Sequence, residues 1–359
     1  MGSDDDDNRS SLRKKYKATY GSAILDLSLH MTILFGLLWG MWRCKNPIIR
    51  SVLILILSCM FMRTFIVFHD CVHRSYIPNR MLCRIIGTIL GVFVLTPFCF
   101  GTTHTDHHAT LGCNDCNDKT ETEFNEFVPH TVNQYKKWSR PIRWLYRLFK
   151  SPFVLFGVFP SIYFWIIRRF NVILEKFQYP TKYSEPLSDI CFDTTGTTIG
   201  ISIMCWVLYR LNILFEYIVA SMIGSSIAFF IFFNQHTFND PKTKKCYVVQ
   251  SDQWRRGAWR TLDSSLIGSS IIQIPWFLRY FSCGGEYHHV HHMDTNIPAR
   301  FMKRYHEEMM KTEADQFSGV GGVTELSFSE CFQNLNLTLF DESKQRYVTF
   351  EEADSAVER

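Results

Sequence analysis

The stretch Gly285-Glu-Tyr-His-His-Val-His-His-Met-Asp294 places four histidines within five residues. His288, His291 and His292 have the spacing i, i+3, i+4, which brings three imidazoles to one face of a helix. Imidazole binds iron, zinc and copper, so three on one face would supply most of the first shell of a metal. A packed surface or a histidine-rich tract has the same local pattern, so this box alone does not identify a metal site.

Two more histidine boxes occur earlier in the chain. Residues 69–73 read His-Asp-Cys-Val-His, and residues 104–108 read His-Thr-Asp-His-His. The chain has 13 histidines, and eight of them are the regularly spaced members of the three boxes. Chance does not group histidines in this way, so the boxes are predicted to meet at one site. Eight imidazoles exceed the needs of one metal, so two metals are predicted, with His236 as a ninth ligand.

The composition indicates an integral membrane protein. Hydrophobic residues make up 47% of the 359 residues, and they are concentrated in long apolar runs. The first run is too long for the core of a cleavable signal peptide. The 12 cysteines lack paired spacing apart from Cys113-Asn-Asp-Cys116, which is a weak zinc signal. They are interpreted as reduced thiols, which favours a catalytic side that faces the cytosol.

The apolar runs predict an all-α membrane protein with four transmembrane helices in two hairpins. All three boxes must emerge on one side of the membrane, so an even number of crossings must separate them. The runs at residues 85–100 and 151–167, and the mixed stretch 265–281, are therefore predicted to lie in the interface or to re-enter. The four predicted spans are residues 21–42, 50–68, 197–211 and 213–233. A cytosolic helical cap is predicted to carry the histidine-rich di-iron site.

Three segments are predicted from the charge distribution. Residues 1–20 are a polar N-terminal segment, disordered or interfacial, and residues 21–310 are the membrane domain with its cap. Residues 311–359 are an acidic tail, with ten Asp or Glu against three Lys or Arg after Lys311. Residues 335–340 are predicted to be a short extended piece. Basic residues are more frequent beside the N-terminus and box one than in the opposite turn, which favours a cytosolic position for the boxes.

Arg63 lies inside an apolar run, where a charge is costly and usually faces the protein interior. Asp70 is seven residues further on, on the same helical face, and is predicted to be its partner. The alternative is that Arg63 lies near the interface and extends its side chain to it.

The boxes favour oxygen chemistry over acid–base chemistry. They lack the Glu and Glu-x-x-His ligands of soluble di-iron bundles. An all-nitrogen site of two irons suits activation of O2 on an apolar substrate, because an unactivated methylene has no acidic proton for a side chain to remove. The sequence has no nucleophilic triad, phosphate-binding loop, dinucleotide fingerprint or nucleic-acid-binding pattern. No catalytic residue is predicted beyond the metal ligands, and no nucleic acid is predicted as a partner.

The boxes and their flanking residues resemble the membrane fatty acid desaturases, and within them the acyl-lipid omega-6 (Δ12-type) enzymes. The resemblance covers about residues 50–350. Cys71-Val72, where Cys-Gly is expected, is a departure that adds bulk beside a ligand without changing one. The segments that carry the resemblance are residues 63–75, 146–157, 235–238, 262–270, 286–292, 296–298 and 337–341.

The resemblance implies an enzyme that inserts a cis double bond into a fatty acyl chain, with two iron ions as cofactor and O2 as co-substrate. The chain has no His-Pro-Gly-Gly haem motif, so a separate cytochrome b5-like or ferredoxin-like electron donor is implied. Asp70 and Asp106 would orient imidazole N–H groups, and His289 would have a second-shell or surface position. The implied ligands are His69, His73, His104, His107, His108, His236, His288, His291 and His292.

The resemblance leaves several properties open. The acyl group could be carried on a glycerolipid, coenzyme A or a carrier protein, and the residues that line its tunnel are not predicted. The membrane would be the endoplasmic reticulum in a eukaryote or the inner membrane in a bacterium. A fatty acid hydroxylase of the same histidine-box type is the main alternative, while the sequence around box three argues against carotenoid ketolases. A histidine-rich metal transporter is disfavoured, because His30 is the only histidine inside a predicted span.

Overall fold

The computed structural model describes residues 10–109, 129–180, 184–244, 246, 266–312 and 322–355. We number its helices and strands in chain order. The helices are α1 (Tyr20–Arg43), α2 (Pro47–Val72), α3 (Arg80–Phe93), α4 (Phe100–Ala109), α5 (Val132–Lys137), α6 (Arg140–Lys150), α7 (Phe153–Gln178), α8 (Leu187–Arg210), α9 (Leu214–His236), α10 (His288–Met293), α11 (Ala299–Thr312), α12 (Phe328–Asn334) and α13 (Phe350–Ser355). The strands are β1 (Ile271–Ile272), β2 (Glu325–Leu326), β3 (Leu339–Asp341) and β4 (Arg346–Val348).

Side-chain caps fix where the first helices begin. Thr19 and Ser22 form a capping box at the start of α1. Asn46 accepts backbone N–H groups at 2.9 and 3.3 Å, and Pro47 follows it at the first position of α2. Asn79 caps α3 in the same way, at 2.9 and 3.0 Å. These caps set the register of α2, the helix that carries His69.

Helix α2 is the centre of the bundle. It packs against α1, α3 and α9, and its apolar window is 61% buried, the largest share among the long apolar helices of the described chain. Gly224 in α9 permits the closest approach, because a Cβ there would lie 2.7 Å from the Ser58 carbonyl oxygen and 2.6 Å from the Phe61 Cβ. The close contact of α2 and α9 brings His69 and His236, near their C-terminal ends, to the same end of the bundle.

The number of long apolar helices differs from the sequence prediction. The described chain has five helices long and apolar enough to cross a membrane, and they are α1, α2, α7, α8 and α9. The fifth is α7, which covers the run that was predicted to be interfacial and contains π-helical stretches at Phe153–Val158 and Tyr163–Ile167. Helix α3, in the run at residues 85–100, has only 14 residues. The mostly helical, membrane-compatible fold is thus confirmed, while the count of four spans is not.

The described part of the acidic tail is folded onto α5 and α6. Strand β2 pairs in parallel with β1, and β3 pairs antiparallel with β4. Leu339 and Val348 share a buried cluster with Tyr135 and Tyr146 of α5 and α6. Of the extended piece predicted at residues 335–340, only Leu339 and Phe340 lie in a strand, β3. The fold is therefore mostly helical with two short strand pairs, where the sequence predicted helices alone apart from that piece.

The described part of the N-terminal segment packs on α11. Leu12 is buried, Arg13 forms an ion pair with Asp294, and Lys15 contacts Glu308 at 2.6 Å. Because Asp294 lies two residues after His292, these contacts place residues 10–16 at the histidine end of the bundle.

The predicted partner of Arg63 is wrong. The Arg63 guanidinium pairs with Asp26 of α1, donates to the Tyr280 carbonyl oxygen at 2.5 Å and lies 4.1 Å from the centre of the Tyr280 ring. Asp70 Oδ2 instead accepts the Ala299 N–H at 2.8 Å. Seven residues of helix separate Arg63 and Asp70 by about 10 Å along the axis. Asp26 of α1 lies beside Arg63 in the bundle. Because Asp26 is in a different helix, the periodicity within α2 could not predict this contact.

We expect Asp26→Leu and Arg63→Leu each to lower the midpoint of thermal unfolding in detergent by several degrees. Removing one partner of a buried ion pair typically costs about 3–5 kcal/mol, because the other charge is left without compensation. The double variant Asp26→Leu/Arg63→Leu should lose less than the sum of the two single losses. A parallel cycle with Asp70→Asn is the control. Coupling of Arg63 to Asp70, with additive losses for Asp26, would contradict the assignment.

Candidate metal centre

Four chain segments bring histidines to the same end of the helix bundle. Helix α2 ends beside box one, α4 carries box two, α9 ends at His236, and α10 is box three. Each segment is helical, so the i, i+3 and i, i+4 spacings place their imidazoles on shared faces as the sequence predicts.

Five histidines form one group, which we call the five-histidine group. Their nearest ring nitrogens lie within 4.8 Å of one another. The Nε2 atoms of His69 and His104 are 2.7 Å apart, those of His104 and His108 are 3.1 Å apart, and those of His108 and His291 are 2.9 Å apart. His69, His104 and His291 are buried. The members are His69, His73, His104, His108 and His291.

His236, His288 and His292 form a second group, the three-histidine group. The Nε2 atoms of His288 and His292 are 3.1 Å apart. The two groups are in contact, since the ring centres of His108 and His292 are 4.6 Å apart. Among the described residues, eight of the nine predicted ligands are thus brought together in two adjoining groups. The side chains of His107 and Asp106 lie outside the described residues, as does the Cys113-Asn-Asp-Cys116 motif.

The donor set of both groups fits a pair of metal ions. Ring nitrogens that face each other at about 3 Å cannot all donate and accept at once, because a neutral imidazole has one N–H and one lone pair. A cation between them would accept all of the lone pairs. Neither group contains a carboxylate among the described residues, and imidazole suits iron, zinc and copper.

Burial favours the neutral, metal-binding form of His291. Its pKa is lowered well below the ordinary value by burial, and the imidazoles of His69, His73, His108 and His288 lower it further. A neutral imidazole is the form that binds a metal, so His291 is in its metal-binding form at neutral pH.

His289 belongs to neither group. It is fully buried, and its Nε2 lies 3.0 Å from His306 Nδ1. Burial lowers its pKa well below the ordinary value, with the neighbouring His306 as the second cause. The structure thus places His289 behind the ligand face, against α11, and not at the surface.

Asp70 connects box one to the helix that follows box three. Its Oδ2 accepts the Ala299 N–H at the start of α11, where a carboxylate also interacts favourably with the helix dipole. Its backbone oxygen accepts the Ser75 N–H at 3.0 Å. Among the described residues its hydrogen bonds are therefore made to backbone and Ser75 groups, and the orienting contact to an imidazole that was predicted for it is not seen.

Sequence reasoning missed the two residues that hold box three in place. Gln235 is buried next to His236, and its Nε2 donates to the Gly285 carbonyl oxygen at 2.5 Å. Gly284 has a positive φ of 86°, and a Cβ there would lie 2.1 Å from the Ala299 carbonyl oxygen. A polar Gln at the end of an apolar helix was a visible signal, whereas the close approach to Ala299 requires the tertiary structure.

Three phenylalanines each lie one helical turn before a different histidine, and we call them the aromatic floor. Phe65 precedes His69, Phe100 precedes His104, and Phe232 precedes His236, each by four residues. The ring centre of Phe65 is 6.4 Å from that of His69, Phe100 is 5.0 Å from His104, and Phe232 is 5.7 Å from His288. Phe65 contacts both other rings, at 6.1 and 5.8 Å. Phe65 thus joins the three rings into one aromatic layer next to the histidines.

Two comparisons with known proteins each match most of the chain. A family model described as fatty acid desaturase matches residues 48–319, a range that contains both histidine groups. A fatty acid desaturase of Bacillus subtilis (strain 168) is 27% identical over 290 residues, which are 80% of this chain and 74% of that relative. The match extends over well more than half of the chain, so the protein belongs to the fatty acid desaturase family.

Proposed function

We propose that this protein is a membrane-bound, O2-dependent acyl-lipid desaturase that inserts a cis double bond into a fatty acyl chain through a di-iron centre. Membership of the family indicates an oxidoreductase that acts on fatty acids. The observation that carries the finer proposal is the pair of adjoining imidazole groups above an aromatic floor, at the end of long apolar helices.

The residues divide naturally between two iron ions. The five-histidine group would hold one iron and the three-histidine group the other, with His107 as the ninth ligand by its spacing in box two. When bound, the irons would supply the reduction of O2 and the oxidation of an unactivated methylene, for which no side chain is strong enough. Asp70, Gln235 and Gly284 would not bind iron; their role would be to hold the ligand-bearing segments in position.

The aromatic floor would determine how the substrate meets the metals. Phe65, Phe100 and Phe232 cover the membrane-facing side of the histidines, so the floor excludes water and favours an apolar chain. An oleoyl-type chain with a new bond at the omega-6 position is proposed from the resemblance of the box-flanking segments. A separate cytochrome b5-like or ferredoxin-like protein would supply the electrons.

We further propose four membrane crossings, with the boxes on the cytosolic face. Three long apolar helices separate box two from box three, and an even number of crossings requires that one of them does not cross. Helix α7 is the candidate because both of its halves contact the histidine end. Phe156 packs on Phe233, three residues before His236, and the Arg168 guanidinium lies 3.7 Å from the Phe100 ring centre.

We expect His288→Ala to remove most of the iron, while His289→Ala retains it, because His288 belongs to the three-histidine group and His289 faces only His306. The measurement is iron per polypeptide by elemental mass spectrometry on protein purified from membranes. His306→Ala, which removes the partner of His289, is the matched control. Equal loss of iron in the His288 and His289 variants would place His289 among the ligands and contradict the two groups.

Expression of the chain in yeast is expected to yield a fatty acid with one additional cis double bond. Mass spectrometry of the extracted fatty acids gives the position of that bond. His236→Ala should abolish the product while the protein stays in the membrane, and His289→Ala should keep substantial activity. A hydroxylated acid in place of the alkene would identify a hydroxylase, and no change in the fatty acids would contradict both activities.

Single cysteines introduced at Asn79 and Lys137 are expected to react from the cytosolic side, and one at Lys45 from the opposite side. Asn79 lies between α2 and α3, Lys137 ends α5, and Lys45 lies in the turn between α1 and α2. The measurement is labelling by a membrane-impermeant thiol reagent in sealed and opened vesicles, read peptide by peptide. Labelling of Asn79 and Lys137 from different sides would overturn the arrangement.

A further inference from the structure

Helix α6 has two apolar faces, and only one of them is packed. Tyr146 is fully buried against Leu339, Val348 and the rest of the C-terminal cluster, and its hydroxyl donates to the Thr338 carbonyl oxygen at 2.9 Å. The other face consists of Pro141, Trp144, Leu145 and Leu148, which have the spacing i, i+3, i+4, i+7 of a continuous stripe. In this stripe Trp144 is 62% exposed, Leu145 50% and Leu148 46%.

Basic side chains lie beside one end of this exposed stripe. Arg140 precedes Trp144 by one helical turn, and the exposed Lys136 and Lys137 end the helix before it. Arg147 is occupied, because it forms an ion pair with Asp354 at 2.5 Å and donates to the Tyr135 hydroxyl. Arg143 is also occupied, because its guanidinium lies 5.9 Å from the centre of the buried Tyr135 ring. Arg140, Lys136 and Lys137 form no ion pair with an acidic residue in the described part of the chain. The apolar stripe of α6 is therefore flanked by positive charge at its N-terminal end.

The helix is continuous with an apolar span. Only Ser151 and Pro152 separate the end of α6 from α7, which is long and apolar enough to enter a membrane. Phe153, the first residue of α7, is 77% exposed. The exposed stripe thus ends just before the chain enters the apolar bundle. This is the depth expected for the boundary between lipid and water.

We propose that α6 lies flat in the headgroup layer and forms a binding surface for anionic phospholipids. The apolar stripe enters the outer part of the acyl-chain region, where tryptophan is favoured, and Lys136, Lys137 and Arg140 contact the negatively charged headgroups. A soluble acidic protein would match these basic residues, but it would not account for a stripe that is continuous with a membrane helix. The proposal does not depend on the metals or on the reaction.

The test uses the full-length protein in nanodiscs of phosphatidylcholine, with brominated acyl chains on either the phosphatidylcholine or an added phosphatidylglycerol. The quenching of Trp144 is obtained as the difference from the Trp144→Phe variant. We expect Trp144 to be quenched by both lipids, and more strongly by the phosphatidylglycerol. Basic residues near a membrane surface each favour anionic lipid by about fivefold. The variant Lys137→Gln/Arg140→Gln should therefore lose most of the preference, and high salt should weaken it.

A charge-matched control is available on the opposite side of α6. Lys344 and Arg346 lie in the β3–β4 hairpin, which packs on the buried face, so Lys344→Gln/Arg346→Gln should leave the preference unchanged. Equal quenching by the two lipids in the unaltered protein would overturn the headgroup selectivity. Absence of any Trp144 quenching would show that α6 does not lie in the bilayer. That result would overturn the proposal and favour a soluble protein as the partner of this face.

Discussion

The fold depends on the convergence of imidazole nitrogens from four chain segments. The Nε2 atoms of His104 and His108 each face two other ring nitrogens at about 3 Å, and one N–H or one lone pair cannot satisfy both neighbours, so the surrounding structure must hold the rings together. It does so by tying the segments to each other: Gln235 binds the turn before box three, Asp70 binds the start of α11, and Gly284 allows the close approach to Ala299. The first two contacts connect different histidine segments, and the third joins the two flanks of box three.

A second set of contacts holds the helices that deliver these segments. Arg63 is buried in α2 and is held by Asp26 and Tyr280, which come from α1 and from the segment before box three. Tyr76, just beyond box one, also donates to Asp26, at 2.9 Å. A single carboxylate in α1 thus interacts with residues on both sides of box one. A charged residue such as Arg63 is unusual in an apolar helix, and its contacts with α1 and with the segment before box three explain its presence.

The histidine pairing could be predicted from the sequence because it depends on short-range periodicity. The spacing within each box fixes which imidazoles share a face, and the repetition of the pattern implies a common site. The partner of Arg63 could not be predicted in this way, since Asp26 lies in a different helix and periodicity within α2 points only to Asp70. The same limit applies to the amphipathic helix α6 and to the folded C-terminal unit, whose packing depends on contacts between distant segments.

The aromatic floor has one more consequence. Because Phe65, Phe100 and Phe232 each precede a histidine by four residues in the same helix, the depth of the floor below the imidazoles is set by helix geometry at about 6 Å. A rotation or a shift of one of these helices would move its ring and its imidazole together. The distance between ring and imidazole is therefore fixed by the helix. Inserting one residue between Phe65 and His69 would rotate the two side chains by about 100° relative to each other and would abolish that fixed distance.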